Sequence, residues 1–191
     1  YPAEIYLISR GGDILPPGLY NYQPLTHSLL QFWQNDVWSK LQSACFFHPI
    51  LAETDLVIAL SAVFFRSAWR YEDRAYRRIF LDTGHLLGNI ELAASLNHYR
   101  AHLIGGFADQ SLNELLYLDS EKEGVISLVG LTDQSANLNP FPQMLTALPS
   151  PITTDYPSIP DGELLSYLHQ ATVIENPPEN LQWFVLEDKN P

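Results

Sequence analysis

Residues 69–94, WRYEDRAYRRIFLDTGHLLGNIELAA, constrain this chain more than any other stretch. Leu81, Leu86, Leu87, Ile90, Leu92, Ala93 and Ala94 place apolar side chains on more than one side of a helix. A helix that is apolar nearly all round belongs in an interior, so a long buried helix is expected here. The half before it is basic. Arg70, Arg74 and Arg77 recur at i, i+4 and i+7 and share one face. On residue types alone this is a solvated face paired with Glu72, Asp73 and Asp82. Gly84 is expected to divide the segment into a shorter amphipathic helix and a long buried one, with a single bent helix as the alternative.

The flanking segments supply strands. Residues 3–9 alternate, and residues 18–22 form a second short strand after the Pro16-Pro17-Gly18 turn, which together predict a hairpin. Thr26 is placed to cap a helix with Leu29, Leu30, Phe32 and Trp33 on its inner side. Residues 37–45 predict another short helix. The run 55–65, DLVIALSAVFF, has the continuous apolar character of a central strand covered on both faces. Asn97 ends the long helix, 99–104 is a strand, and Gly105-Gly106-Phe107 a tight connection. Asp109 is expected to cap a helix over 110–117, and 125–131 is the last clear strand. Strands not separated by regular helices argue against a doubly wound sheet. The expected class is α+β, with a mixed or antiparallel sheet against the long helix.

The length of 191 residues suits one domain with an appendage, and 46% hydrophobic residues can furnish its core. From residue 132 the character changes to a polar, acidic stretch punctuated by prolines, with no Lys or Arg between Lys122 and Lys189. Residues 1–131 therefore read as the folded unit and 132–191 as a linker or arm, with a short helix over 163–171 and a lone strand over 182–186. A formal net charge of −12 argues against nucleic acid or an anionic membrane as the main partner. The lone Cys45 excludes an intrachain disulfide and a cysteine metal site and fits a reducing, cytoplasmic compartment. His98 and His102 fall on a strand and give no metal-binding spacing. The opening Tyr1-Pro2 runs straight into a strand without a lead, as expected of a fragment or processed piece.

Three features could carry chemistry. Gly105-Gly106 between a strand and a helix lets backbone approach a flat ligand, although paired glycines most often mark only a turn. Tyr71, beside Arg70 and near Arg74 and Arg77, can donate a proton or bind an oxyanion, against the simpler reading of a helix start with salt bridges. Asp82 or Thr83 is expected to cap the long helix, with His85 packing near its start. No Ser-His-Asp or Cys-His arrangement and no paired carboxylates stand out.

In order along residues 1–131, the phrases YPAEIYLIS, LPPGLYNYQPLTHSL, LVIALSAVF, RYEDRAYRRIFLDTGHLLGNIELAA, GGFADQSLNELLYLD and VISLVGL resemble the SagB-type dehydrogenases of the FMN-dependent nitroreductase superfamily. The resemblance implies a nitroreductase-like α+β fold, FMN held at a dimer interface and two-electron redox chemistry, which in azole-forming members acts on peptide heterocycles. It implies that Gly105 and Gly106 pass the flavin ring with Phe107 beside it. Tyr1 and Pro2 would lie at the end of a segment crossing under the ring, Arg74 would contact the cofactor, and Tyr71 and Arg70 would occupy the catalytic positions. Azole-forming members tend to have Lys-Tyr where this chain has Arg70-Tyr71, and arginine stays protonated and cannot act as a base. The segment that grips the FMN phosphate in the family would lie before Tyr1, and 131–134 (LTDQ) carries no basic residue after the last strand. SIPDGELLSYLHQATVI resembles the lead-in to another such unit. The implied partner is a second copy or a second nitroreductase-like unit in one polypeptide, and the alternative is a fold of this kind that has lost its flavin and serves as a structural half or peptide-binding module.

Overall fold

A computed structural model of the chain describes residues 1–12, 15–133 and 158–175. Six strands form one sheet: β1 (Ala3–Ser9), β2 (Gly18–Gln23), β3 (Ser28–Trp33), β4 (Leu56–Val63), β5 (Tyr99–Ile104) and β6 (Glu123–Asp133). Their order is β3-β2-β1-β4-β6-β5, and every pairing is antiparallel. The sheet, its antiparallel pairing and the long helix are those expected from the sequence.

Strand β4 sits in the middle, flanked by β1 and β6. Its alternate residues serve two cores, as the period of two dictates. Val57 and Ala59 join the larger cluster with Ile8, Leu41, Ile50, Leu51, Leu112 and Leu128. Ala62 joins Phe64 and Ile79 in a smaller one. A register shift beside Leu60 and Ser61 lets β6 send both Val125 and Leu128 to the larger core while Ile126 packs against the smaller. The larger core is closed by α1 (Trp38–Ala44), α2 (Ile50–Glu53) and α5 (Asp109–Leu115).

The expected helix after Thr26 is instead β3. Leu29, Leu30, Phe32 and Trp33 fit one helical face, but Tyr22 pairs with Leu29 and Leu19 with Trp33 across a hairpin. The turn between them places His27 at a φ of 49°, and the Thr26 hydroxyl bonds the Ser28 hydroxyl rather than opening a helix. Pairing with a neighbouring strand overrides a short apolar period that local pattern cannot assign.

The long segment is split at Glu72, not at Gly84. Helix α3 (Phe65–Tyr71) ends where Glu72 takes a φ of 47°, a 3-10 turn covers Glu72–Arg74, and α4 (Ala75–Leu96) runs unbroken through Gly84 for 22 residues. Its burial by this chain alone is partial. Within this chain only Ala75, Tyr76, Ile79, Thr83 and Ala94 of α4 are buried, whereas Leu81 and Leu92 are each 60% exposed and Leu96 is 73% exposed. Consequently Thr83 lies mid-helix with its hydroxyl unpartnered and caps nothing. Asn97 does end the helix, its amide donating to the Ala93 carbonyl.

Helix α6 (Leu164–Thr172) falls close to the expected span. It lies on the body: Leu165 packs against the smaller core, and the His169 ring sits 4.8 Å from that of Phe64. A Cβ at Gly124 would come within 3.1 Å of the same imidazole, a tight contact that glycine on β6 avoids. The lone strand expected over 182–186 lies outside the described residues. Among the described residues, no helix is long and apolar enough to cross a membrane.

Candidate functional site

The glycine pair ends edge strand β5. A Cβ built on Gly105 or on Gly106 meets nothing within 4 Å, and neither residue has a positive φ. The fold of this chain therefore does not require glycine at either position; what their missing side chains leave is an open strip of backbone. Phe107 turns the other way. It is 4% exposed and belongs to the larger core, so it anchors the loop from beneath. Ala108 fixes the next step, its N–H donating to the Ala44 carbonyl at 2.7 Å.

Asp109 follows in the first turn of α5, where its expected capping role goes elsewhere. Ala108 holds the N-cap position, and the Asp109 carboxylate accepts the Ile174 N–H at 2.8 Å. The Asp109 N–H in turn donates to the Ile174 carbonyl at 3.2 Å. Burial raises the Asp109 carboxyl above its ordinary value, with the N–H donors pulling it partly back. Burial lowers His169 on the neighbouring helix. The segment 158–175 thus straps the body at three places. Gly162 N–H reaches the Asp73 carboxylate at 3.0 Å, Thr172 shares a hydrogen bond with Tyr76 at 2.8 Å, and Ile174 holds Asp109. Between the strap and α5 lies a cavity of about 680 Å³.

Tyr1 and Pro2 open β1, three strand positions from β5, which at about 4.8 Å per strand is roughly 14 Å. Pro2 is buried and accepts the Val63 N–H at 2.9 Å. Tyr1 is 69% exposed, and its hydroxyl donates to the Asp82 carbonyl on α4. Burial raises its pKa, and nearby Asp82 adds to the shift. Tyr1 also borders a groove of about 460 Å³ with Leu86 of α4 and Arg66 of α3.

The arginines are not paired as residue types alone suggest. The ion pairs among the described residues join Arg10 with Asp55, Arg66 with Glu4 and Lys122 with Asp119, leaving Arg70, Arg74, Arg77 and Arg78 outside any of them. Asp73 is engaged by the strap instead. Two guanidiniums address Tyr71: that of Arg78 lies 4.7 Å and that of Arg70 5.7 Å from its ring centroid. Helical spacing gives no signal for Arg78, because the 3-10 turn at Glu72–Arg74 interrupts the count from Tyr71. Strand β5 returns along α4 for roughly 20 Å of a helix about 33 Å long, so Gly105 stops well short of Arg74 at the helix start. The structure therefore brings Arg70, Tyr71, Arg74 and Arg78 near one another and keeps Gly105-Gly106 and Tyr1-Pro2 as separate places on the sheet. No group of three His, Cys, Asp or Glu among the described residues could hold a metal ion.

Comparison with known proteins supplies the family. The model of the nitroreductase family matches residues 1–131. A protein of Methanocaldococcus jannaschii, named provisionally as a nitroreductase, is 28% identical over 116 residues, covering 61% of this chain and 59% of that protein. The crystal structure of a chain named provisionally as a nitroreductase from Anabaena variabilis is 57% identical and superposes with a TM-score of 0.83 over 95% of this chain and 37% of its own. A microcin synthetase complex of E. coli with truncated pro-MccB17 bound shares the fold at a TM-score of 0.63 and 20% identity, over 70% of this chain and 52% of that one. The chain thus spans only part of these relatives: 59% of the archaeal protein and little more than a third of the Anabaena chain. With the matched family model covering the long helix and all of the sheet but the last two residues of β6, this chain belongs to the nitroreductase family, whose members are oxidoreductases.

Proposed function

We propose that the chain is the ring-binding part of a SagB-type, FMN-dependent oxidoreductase, with residues 1–131 as the nitroreductase-like unit and 132–191 as a proline-rich acidic linker or arm. One observation carries this reading: Gly105 and Gly106 present backbone to open space although nothing among the described residues excludes a side chain there. A flat ring lying on that strip gives the missing side chains a physical reason. Phe107 would hold the strip in place from the core. Tyr1 and Pro2 would border the ring from β1, and Arg74 would meet the anionic end of the cofactor.

FMN, when bound, supplies two-electron redox chemistry. The protein's part is to bind and orient the ring, exclude water and supply protons. Tyr71 is the proposed proton donor from its phenolic oxygen. Arg70 and Arg78, permanently protonated, hold that phenol in place and stabilise negative charge near it, and neither can act as a base. The substrate class is a small molecule or a peptide heterocycle.

The exposed apolar flank of α4, with Leu92 and Leu96, favours a second copy or a second nitroreductase-like unit as partner. The greater length of the Anabaena relative agrees with the latter. The buried Cys45, its thiol pushed up to about 12 by burial, is inert and compatible with a cytoplasmic setting.

A second reading, a unit that binds no flavin and serves as a structural half, draws support from the distance between Arg74 and the glycine pair. Isolation of the native protein separates the two. The flavoprotein reading expects a yellow protein whose flavin is released on denaturation; a colourless protein that takes up no added FMN supports the structural one.

A further inference from the structure

We infer that the trough between α4 and α6 is a docking groove for an acidic peptide with interspersed apolar residues. This goes beyond the flavin reading and does not depend on it. The trough encloses about 830 Å³. Phe80 and Leu81 line one wall and Leu164 and Leu168 the other. Phe80 is 44% exposed and Leu81 60% exposed, so the wall offers apolar surface that the described residues do not cover.

The mouth is cationic. Arg74 and Arg77 line it, and neither makes an ion pair among the described residues. Asp73 lies beside them, but its carboxylate already accepts the Gly162 N–H. The first turn of α4 holds no acidic residue and has no side-chain cap, so the positive end of the longest helix in the chain adds to the same field. In a chain of formal net charge −12, four arginines spread over residues 70–78 without ion-pair partners among the described residues are a local reversal of sign. Arg74 and Arg77 line the trough, and Arg70 and Arg78 flank them in a row along the chain. A single phosphate would engage one or two of them. An extended segment with several carboxylates can meet the row while its apolar residues enter the trough, which is the complementarity these walls offer.

The test uses a short fluorescein-labelled peptide alternating glutamate pairs with leucine, followed by fluorescence anisotropy on the full chain at low and physiological salt. Arg77→Glu and Leu81→Glu are each expected to weaken binding about ten-fold, while Arg100→Glu on β5, which makes the same charge change outside the trough, leaves it within about two-fold. Arg74 is the one residue shared with the proposed cofactor site, so saturating FMN is expected to weaken peptide binding no more than Arg74→Ala does, and a protein that takes up no flavin yet still binds peptide would refute the flavin reading alone. The docking inference is overturned by absence of binding, by equal weakening in Arg100→Glu, which marks bulk charge, or by indifference to Leu81→Glu with displacement by inorganic phosphate, which marks a small-anion site.

Discussion

Asp109 and Ile174 grip one another twice. The Asp109 N–H donates to the Ile174 carbonyl at 3.2 Å, and the Ile174 N–H donates to the Asp109 carboxylate at 2.8 Å. These residues are 65 positions apart, and their link joins the acidic arm to the loop that carries Gly105 and Gly106. The strap is thus fastened directly behind the proposed ring-binding strip.

Removing one half of this grip should loosen the strap without disturbing the sheet. Ile174→Pro deletes the N–H donor, and Val173, at a ψ of 130°, already has the extended backbone that a following proline prefers. The expected loss is roughly 1 kcal/mol in urea denaturation, with faster amide exchange confined to α6. Uniform acceleration across the sheet would instead mean that the strap is integral to the core.

The pH dependence of the same link has a definite sign. Burial raises the Asp109 carboxyl above its unfolded value, so its stabilising contribution is complete below the ordinary carboxylate range and is lost as pH rises through the raised folded value. Asp109→Asn keeps an acceptor for Ile174 and cannot ionise. Its melting temperature relative to the parent should therefore be more favourable at neutral pH than in mild acid. His169, lowered by burial, pulls in the opposite direction and interacts with Asp109, so the two proteins are compared in a His169→Gln background, where the difference reports Asp109.

Glycine positions separate structure from function. At Gly18 the φ is +144°, and an added Cβ would lie 2.1 Å from the Trp33 carbonyl oxygen, where β2 meets β3. Gly18→Ala should cost about 3 kcal/mol or more in chemical denaturation. At Gly106 the same addition meets nothing. Gly106→Val should leave stability within about 0.5 kcal/mol of the parent, so any functional loss there comes from the ligand.

Tyr71→Phe retains the ring on which Arg78 and Arg70 sit and removes only the hydroxyl. If the phenol is the proposed acid, turnover should fall on the order of a hundred-fold or more while flavin affinity stays unchanged. An equal fall in flavin affinity would make Tyr71 a binding group instead.

Much of this organisation is legible in the residues. The alternation of 3–9, the apolar run behind β4 and the length of α4 each carry a local period, and local periods survive into the fold. What failed did so where long-range contacts decide. Phe32 and Trp33 look helical until β2 is beside them. Leu92 and Leu96 have the composition of an interior, but composition says only that such side chains need cover, and this chain does not provide it. Asp109 has the position of a cap, yet its carboxylate was claimed by a residue far along the chain. The glycine pair was visible as a motif, whereas the Arg78–Tyr71 contact depended on the 3-10 turn at Glu72–Arg74 that no simple helical count anticipates.

FMN titration of the native protein against its Gly106→Val variant tests the central claim most directly, with flavin fluorescence and melting temperature followed together. The account predicts saturable flavin binding by the parent and at least about ten-fold weaker binding by a variant of unchanged melting temperature. No flavin uptake by the parent, or equal affinity in both proteins, would contradict it.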